Sequence, residues 1–104
     1  MRLRNEQICA IREEVARAFG AKASVRLFGS RTRDAARGGD IDLYIEAPMA
    51  EDEARVGERQ LRHALLTRLG DQRIDIVTAP PGGKDRPIDR VAQDEGIRLD
   101  GLGY

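Results

Sequence analysis

Apolar residues recur along the chain in two rhythms. Ile8, Ile11, Val15 and Phe19 fall three and four positions apart, the spacing of one face of an amphipathic helix. Gly20 is a natural stop, so a helix is predicted over residues 5–19. Residues 24–28, SVRLF, read as a short strand closed by Gly29-Ser30. The segment RTRDAARGG leaves room for no more than one helical turn before its paired glycines. DIDLYIE, residues 40–46, alternates strictly. Ile41, Leu43 and Ile45 face one way, and Asp40, Asp42, Tyr44 and Glu46 face the other, as in a strand with one buried and one open face. After Ala47-Pro48, the acidic run Glu51, Asp52, Glu53 suits a helix N-terminus. Leu61, Ala64, Leu65 and Leu69 carry that helix to Gly70. Gly57 inside it costs about 1 kcal/mol relative to alanine. RIDIV, residues 73–77, alternates again, with Ile74 and Ile76 inward and Arg73, Asp75 and Val77 toward the open side. A Pro/Gly-rich loop, APPGGKDRP, leads to a short helix that Pro87 opens and Gly96 closes, and IRL supplies a last small strand. This order predicts an α/β fold: one domain over residues 1–104, with a small mixed sheet flanked by helices on one face.

Composition narrows the function classes. The chain has 104 residues, with 18 basic and 18 acidic side chains and a formal net charge of zero. A protein that coats nucleic acid stably would carry a basic excess, so none is expected to bind here, although a nucleotide held through a metal stays possible. Aromatics are 4%, so the core falls to Leu, Ile, Val and Ala. The one cysteine, Cys9, permits neither an internal disulfide nor a cysteine-based metal site, and its place beside Ile8 and Ile11 reads as core packing. Arg2, Arg4, Glu6, Arg12 and Glu13 interrupt the N-terminal segment, so neither a leader nor a membrane span is expected. The reading is cytoplasmic. His63, Lys84 and Arg86 read as solvated side chains.

The candidate chemistry lies in residues 29–42 and at Asp75. Asp40 and Asp42 lie two steps apart on one strand face, their Cα atoms about 6.5–7 Å apart. Asp is depleted in strands. The pair either faces water with nothing at stake or converges on a cation. Asp75, on an open face of a second strand, joins it if the two strands are neighbours with matched faces. Oxygen-only ligation suits magnesium or manganese rather than zinc. Gly29-Ser30 is either an ordinary strand-ending turn or a phosphate turn, its glycine admitting an anion to backbone N–H groups and its serine adding a hydroxyl. Arg31 and Arg33 either clamp phosphate oxygens or are solvated.

LFGSRTRDAARGGDIDLYIE resembles the Gly-Ser…Asp-x-Asp signature of the DNA polymerase beta-like nucleotidyltransferases. By length and element order the chain looks like their minimal nucleotidyltransferase branch, bare catalytic domains often encoded beside a HEPN-type toxin as its antitoxin. One departure is Gly39, where many members have serine. The resemblance implies the polymerase beta-like fold, phosphate binding by Gly29 and Ser30, and ligation of magnesium, two ions, by Asp40, Asp42 and Asp75. Asp75 would also take the proton of an attacking hydroxyl. ATP would be the substrate and AMP the transferred group, with release of pyrophosphate. The implied acceptor is a hydroxyl, that of a tyrosine, on a HEPN-type toxin. The alternative is a non-catalytic antitoxin that neutralises its partner by binding alone. Transfer to a small molecule is disfavoured by the missing helical domain with which larger relatives hold acceptors.

Overall fold

The computed structural model describes residues 5–28, 40–70 and 73–99. The first periodic stretch forms α1 (Asn5–Phe19), followed by β1 (Ser24–Leu27), β2 (Asp40–Glu46), α2 (Glu51–Leu69), β3 (Arg73–Ala79), α3 (Pro87–Glu95) and β4 (Ile97–Arg98). The acidic start of α2 has a specific use: the Glu53 carboxylate accepts a hydrogen bond from the Ala50 N–H at 3.1 Å. It thereby satisfies a donor that the helix cannot pair internally.

The four strands form one sheet in the order β3-β2-β1-β4. β1 runs antiparallel to both its neighbours, pairing Ser24 with Glu46 and Leu27 with Leu43 on one side and Arg26 with Arg98 on the other. β2 and β3 are parallel, and α2 makes the crossover that a parallel pair requires. The architecture is therefore α/β with a mixed sheet.

The inward residues of the alternating strands meet the helical stripes. Ile41, Leu43, Ile45, Val25, Leu27, Ile74 and Ile76 pack with Ile8, Ile11, Val15 and Phe19 of α1 and Leu61 and Leu65 of α2. Each such side chain contributes roughly 1.5–3 kcal/mol when removed from water. Gly57, costly on helix propensity alone, is required by this packing. A Cβ there would stand 2.9 Å from the Phe19 ring and 3.1 Å from the Ala18 carbonyl oxygen. Glu14, buried in α1, is held by Arg68 of α2 at 3.0 Å and by Arg17 at 3.1 Å, so a charge pair ties the two helices where apolar contact ends.

The other face of the sheet departs from the alternation's prediction in one region. Tyr44, read as facing an open side, is fully buried. α3 lies over it: Phe28, Tyr44, Ala79 and Ala92 form a second apolar cluster, with Val77 and Ile88 packed against them. The Phe28 and Tyr44 rings meet edge to face at 6.5 Å, a favoured aromatic geometry. Thus α1 and α2 cover one face as expected, and α3 adds a partial cover to the second because Tyr44 and Phe28 present too much apolar surface to leave wet. No helix among the described residues is long and apolar enough to cross a membrane.

Candidate active site

The parallel register of β2 and β3 sets Asp42 opposite Asp75. Registered partners on neighbouring strands project from the same face, and adjacent strands lie about 4.8 Å apart. The two carboxylates therefore stand side by side. Asp75 is exposed and Asp42 half-buried, so this end of the face remains open to solvent while the Tyr44 region is closed by α3. Asp40 begins β2 at the register position opposite Arg73. β1 delivers the chain to the same place: the Phe28 N–H donates to the Asp42 carbonyl oxygen at 3.1 Å, just before residues 29–39. Gly29, Ser30, Arg31 and Arg33 lie outside the described residues.

Asp42 and Asp75 offer only carboxylate oxygens, the ligands magnesium prefers, and an open surface leaves coordination positions for water and phosphate oxygens. The donor chemistry thus fits a divalent cation. Among the described residues no group of three or more side chains forms a metal site; the described part of the cluster is the Asp42–Asp75 pair. Two cavities lie elsewhere. One of about 370 Å³ is lined by Cys9, Arg12, Ala16 and Ala23 among others. Another of about 190 Å³ is lined by Phe19, Met49, Ala54 and Lys84 among others. Neither includes Asp42 or Asp75. Cys9, read as a core residue, is half-buried at the first of these cavities.

A polar network that sequence reading missed sits beside the carboxylates, under α3. Asp89 is 1% exposed. It accepts from the Tyr44 hydroxyl at 2.6 Å, from the Arg86 backbone N–H at 2.9 Å and from the Arg86 guanidinium at 2.7 and 2.9 Å. Arg86 also donates to the Thr78 carbonyl oxygen at 3.1 Å. The Arg86 guanidinium, more than burial opposes it, holds the Asp89 carboxyl well below the usual carboxylate range. Burial, and then the Asp89 carboxylate, push the Tyr44 hydroxyl well above its ordinary value. Arg86 is accordingly a paired side chain rather than a solvated one, and Lys84 pairs with Glu51 at 2.9 Å. Glu46, at the far end of the same face, accepts from the Gly82 N–H at 2.8 Å and ties down the Pro/Gly loop. The available signal was Tyr44 itself: an aromatic between two acidic positions requires a cover and a hydroxyl partner.

A parallel strand pair carrying apposed aspartates offers oxygen ligands that a divalent cation could share. The model of the nucleotidyltransferase domain family matches residues 8–98, and the chain belongs to that family. It is therefore a transferase domain of the kind that moves nucleotidyl groups, a chemistry that draws on a nucleoside triphosphate and a divalent metal. The architecture is consistent with the polymerase beta-like nucleotidyltransferase fold. A comparison with curated proteins found no match.

Proposed function

We propose that the chain is a minimal nucleotidyltransferase that acts as the antitoxin of a HEPN-type toxin, transferring AMP from ATP to a tyrosine hydroxyl of that partner. The observation that carries the reading is the register that places Asp42 beside Asp75 on an open sheet face. Asp40 and Asp42, with Asp75, would hold magnesium, which when bound supplies positive charge beside the phosphate oxygens. Asp75, the more exposed of the described pair, takes the proton of the acceptor hydroxyl. The acceptor oxygen forms a bond to the α-phosphorus, the bond to pyrophosphate breaks, and pyrophosphate leaves with the electron pair. Gly29 and Ser30, with Arg31 and Arg33, serve the triphosphate in this reading. The partner protein brings the hydroxyl to the open face, and the gain from holding two reactants together is worth several kcal/mol of barrier, about 7–11 at best.

The test is intact mass spectrometry of the toxin co-expressed with this chain. Added nucleotide with the wild type, and none with Asp75→Asn, supports transfer. A partner neutralised equally by both chains and never gaining mass leaves neutralisation by binding alone.

A further inference from the structure

Among the described residues β3 is an edge strand of seven residues, hydrogen-bonded to β2 on one side only. A long unpaired edge is a template for another strand. Its backbone alternates: the Ala79 carbonyl oxygen accepts from the Ala47 N–H on the β2 side, so the carbonyls of Ile74, Ile76 and Thr78 point to the free edge. Two of these are already taken by arginine side chains from different helical regions. Arg62 of α2 donates to the Ile74 carbonyl oxygen, and Arg86 donates to that of Thr78. Each arginine is itself anchored by a carboxylate. Glu58 holds Arg62 at 3.1 Å, one helical turn away, and Asp89 holds Arg86 at 2.7 Å.

The strand these caps exclude can be specified. A second copy of β3 laid antiparallel and centred on Ile76 would set Ile74 opposite Thr78, Asp75 opposite Val77 and Arg73 opposite Ala79. No like charges would then be opposed, which removes the usual penalty. The residues with outward backbone groups would fall opposite one another, the positions that exchange both hydrogen bonds in an antiparallel ladder. Those bonds need the carbonyls of Ile74 and Thr78 on both copies, the same carbonyls that Arg62 and Arg86 occupy. We infer that the β3 edge is a self-complementary strand-pairing surface, and that Arg62 and Arg86 are the guards that stop two copies from joining through it. The guard matters because β3 carries Asp75, whose open face a twofold strand pair would crowd.

Arg62→Met removes one guard on each copy and leaves the Asp89 network intact. Sedimentation velocity over a concentration series should show Arg62→Met self-associating about tenfold or more tightly than the wild type, since each freed carbonyl regains a hydrogen bond of about 1 kcal/mol. Arg62→Lys, which keeps a donor, should behave as the wild type. Thr78→Pro deletes an outward N–H at an edge position where proline is tolerated, so Arg62→Met/Thr78→Pro should return to wild-type behaviour. If Arg62→Met fails to fold by circular dichroism, Glu58→Gln, which loosens Arg62 without removing it, should show a smaller shift in the same direction. A folded Arg62→Met, or in its stead Glu58→Gln, that sediments as the wild type overturns the inference. So does association that persists in the Thr78→Pro background, which would place the contact elsewhere.

Discussion

Tyr44 and Asp42 stand two residues apart on β2 and share a sheet face, yet Tyr44 is fully buried and Asp42 is half-open. Around Tyr44 the polar groups interlock: its hydroxyl, the Asp89 carboxylate and the Arg86 guanidinium satisfy one another beneath α3. At the Asp42 end two carboxylates face each other across a strand pair and reach solvent. Both ends are acidic, but they are stabilised differently. Under α3 a fixed cation neutralises the charge, and the interactions serve the fold. At the open end two like charges lie close together within reach of solvent, an arrangement that a bound cation would stabilise. The difference is the ground on which the proposed site is assigned to the open end of this face.

The comparison breaks first at Asp75. Asp75→Asn should lower nucleotidyl transfer by on the order of 10²–10⁴-fold, the usual worth of a positioned general base, while the melting temperature holds or rises. A mass-spectrometric transfer assay alongside thermal melts checks both. A stability loss comparable with that at Asp89 would show the open end to be structural after all.

Asp89→Ala should do the reverse. It leaves the Tyr44 hydroxyl and the Arg86 guanidinium without their buried partner, at a cost of about 3–5 kcal/mol. Urea denaturation measures it, and a loss under about 1 kcal/mol would show that the network contributes little.

Ligand linkage sharpens the contrast. Magnesium with ATP should stabilise the wild type, by about 2.7 kcal/mol at a hundredfold excess over the dissociation constant. Asp40→Asn/Asp42→Asn should lose that gain, and calorimetry of ATP binding with and without magnesium reads it directly. Undiminished binding in the double variant would count against the metal role.

The smallest effects are in pH dependence. Asp89 has a depressed carboxyl in the folded chain, so its contribution is present above the unfolded value of about 3.9 and drains as pH falls below that. Tyr44 is raised, so its contribution is present below the unfolded value of about 10 and is lost as pH rises beyond it. Tyr44→Phe should therefore flatten the alkaline limb of the stability profile and keep most of the acid limb, at a cost of about 1 kcal/mol near neutrality. Asp89→Asn should flatten the acid limb. Denaturation midpoints collected from pH 3 to 11 would show whether the two limbs separate in this way.

The alternation of DIDLYIE and RIDIV determined which residues lie on the core side of their strands, and the spacing of Ile8, Ile11, Val15 and Phe19 determined α1 to its last residue. These are properties of consecutive residues, because helical and extended backbones repeat over a few positions. The Gly-Ser…Asp-x-Asp spacing pointed to the family for the same reason, as a local pattern. What only the tertiary structure decided is how distant segments meet. The parallel register sets Asp75 against Asp42 rather than against Asp40. α3 comes to rest over Tyr44 and carries Asp89 into the interior, and Arg62 and Arg86 reach the β3 edge from separate regions of the chain. Asp89 sits on a short polar helix, and only the packing of Tyr44 and Arg86 around it makes it a buried anion. Gly57 looks like a weak point until Phe19 needs the space its missing side chain leaves. Pairing and burial depend on contacts between residues tens of positions apart, and local periodicity carries no information about which partner each will find.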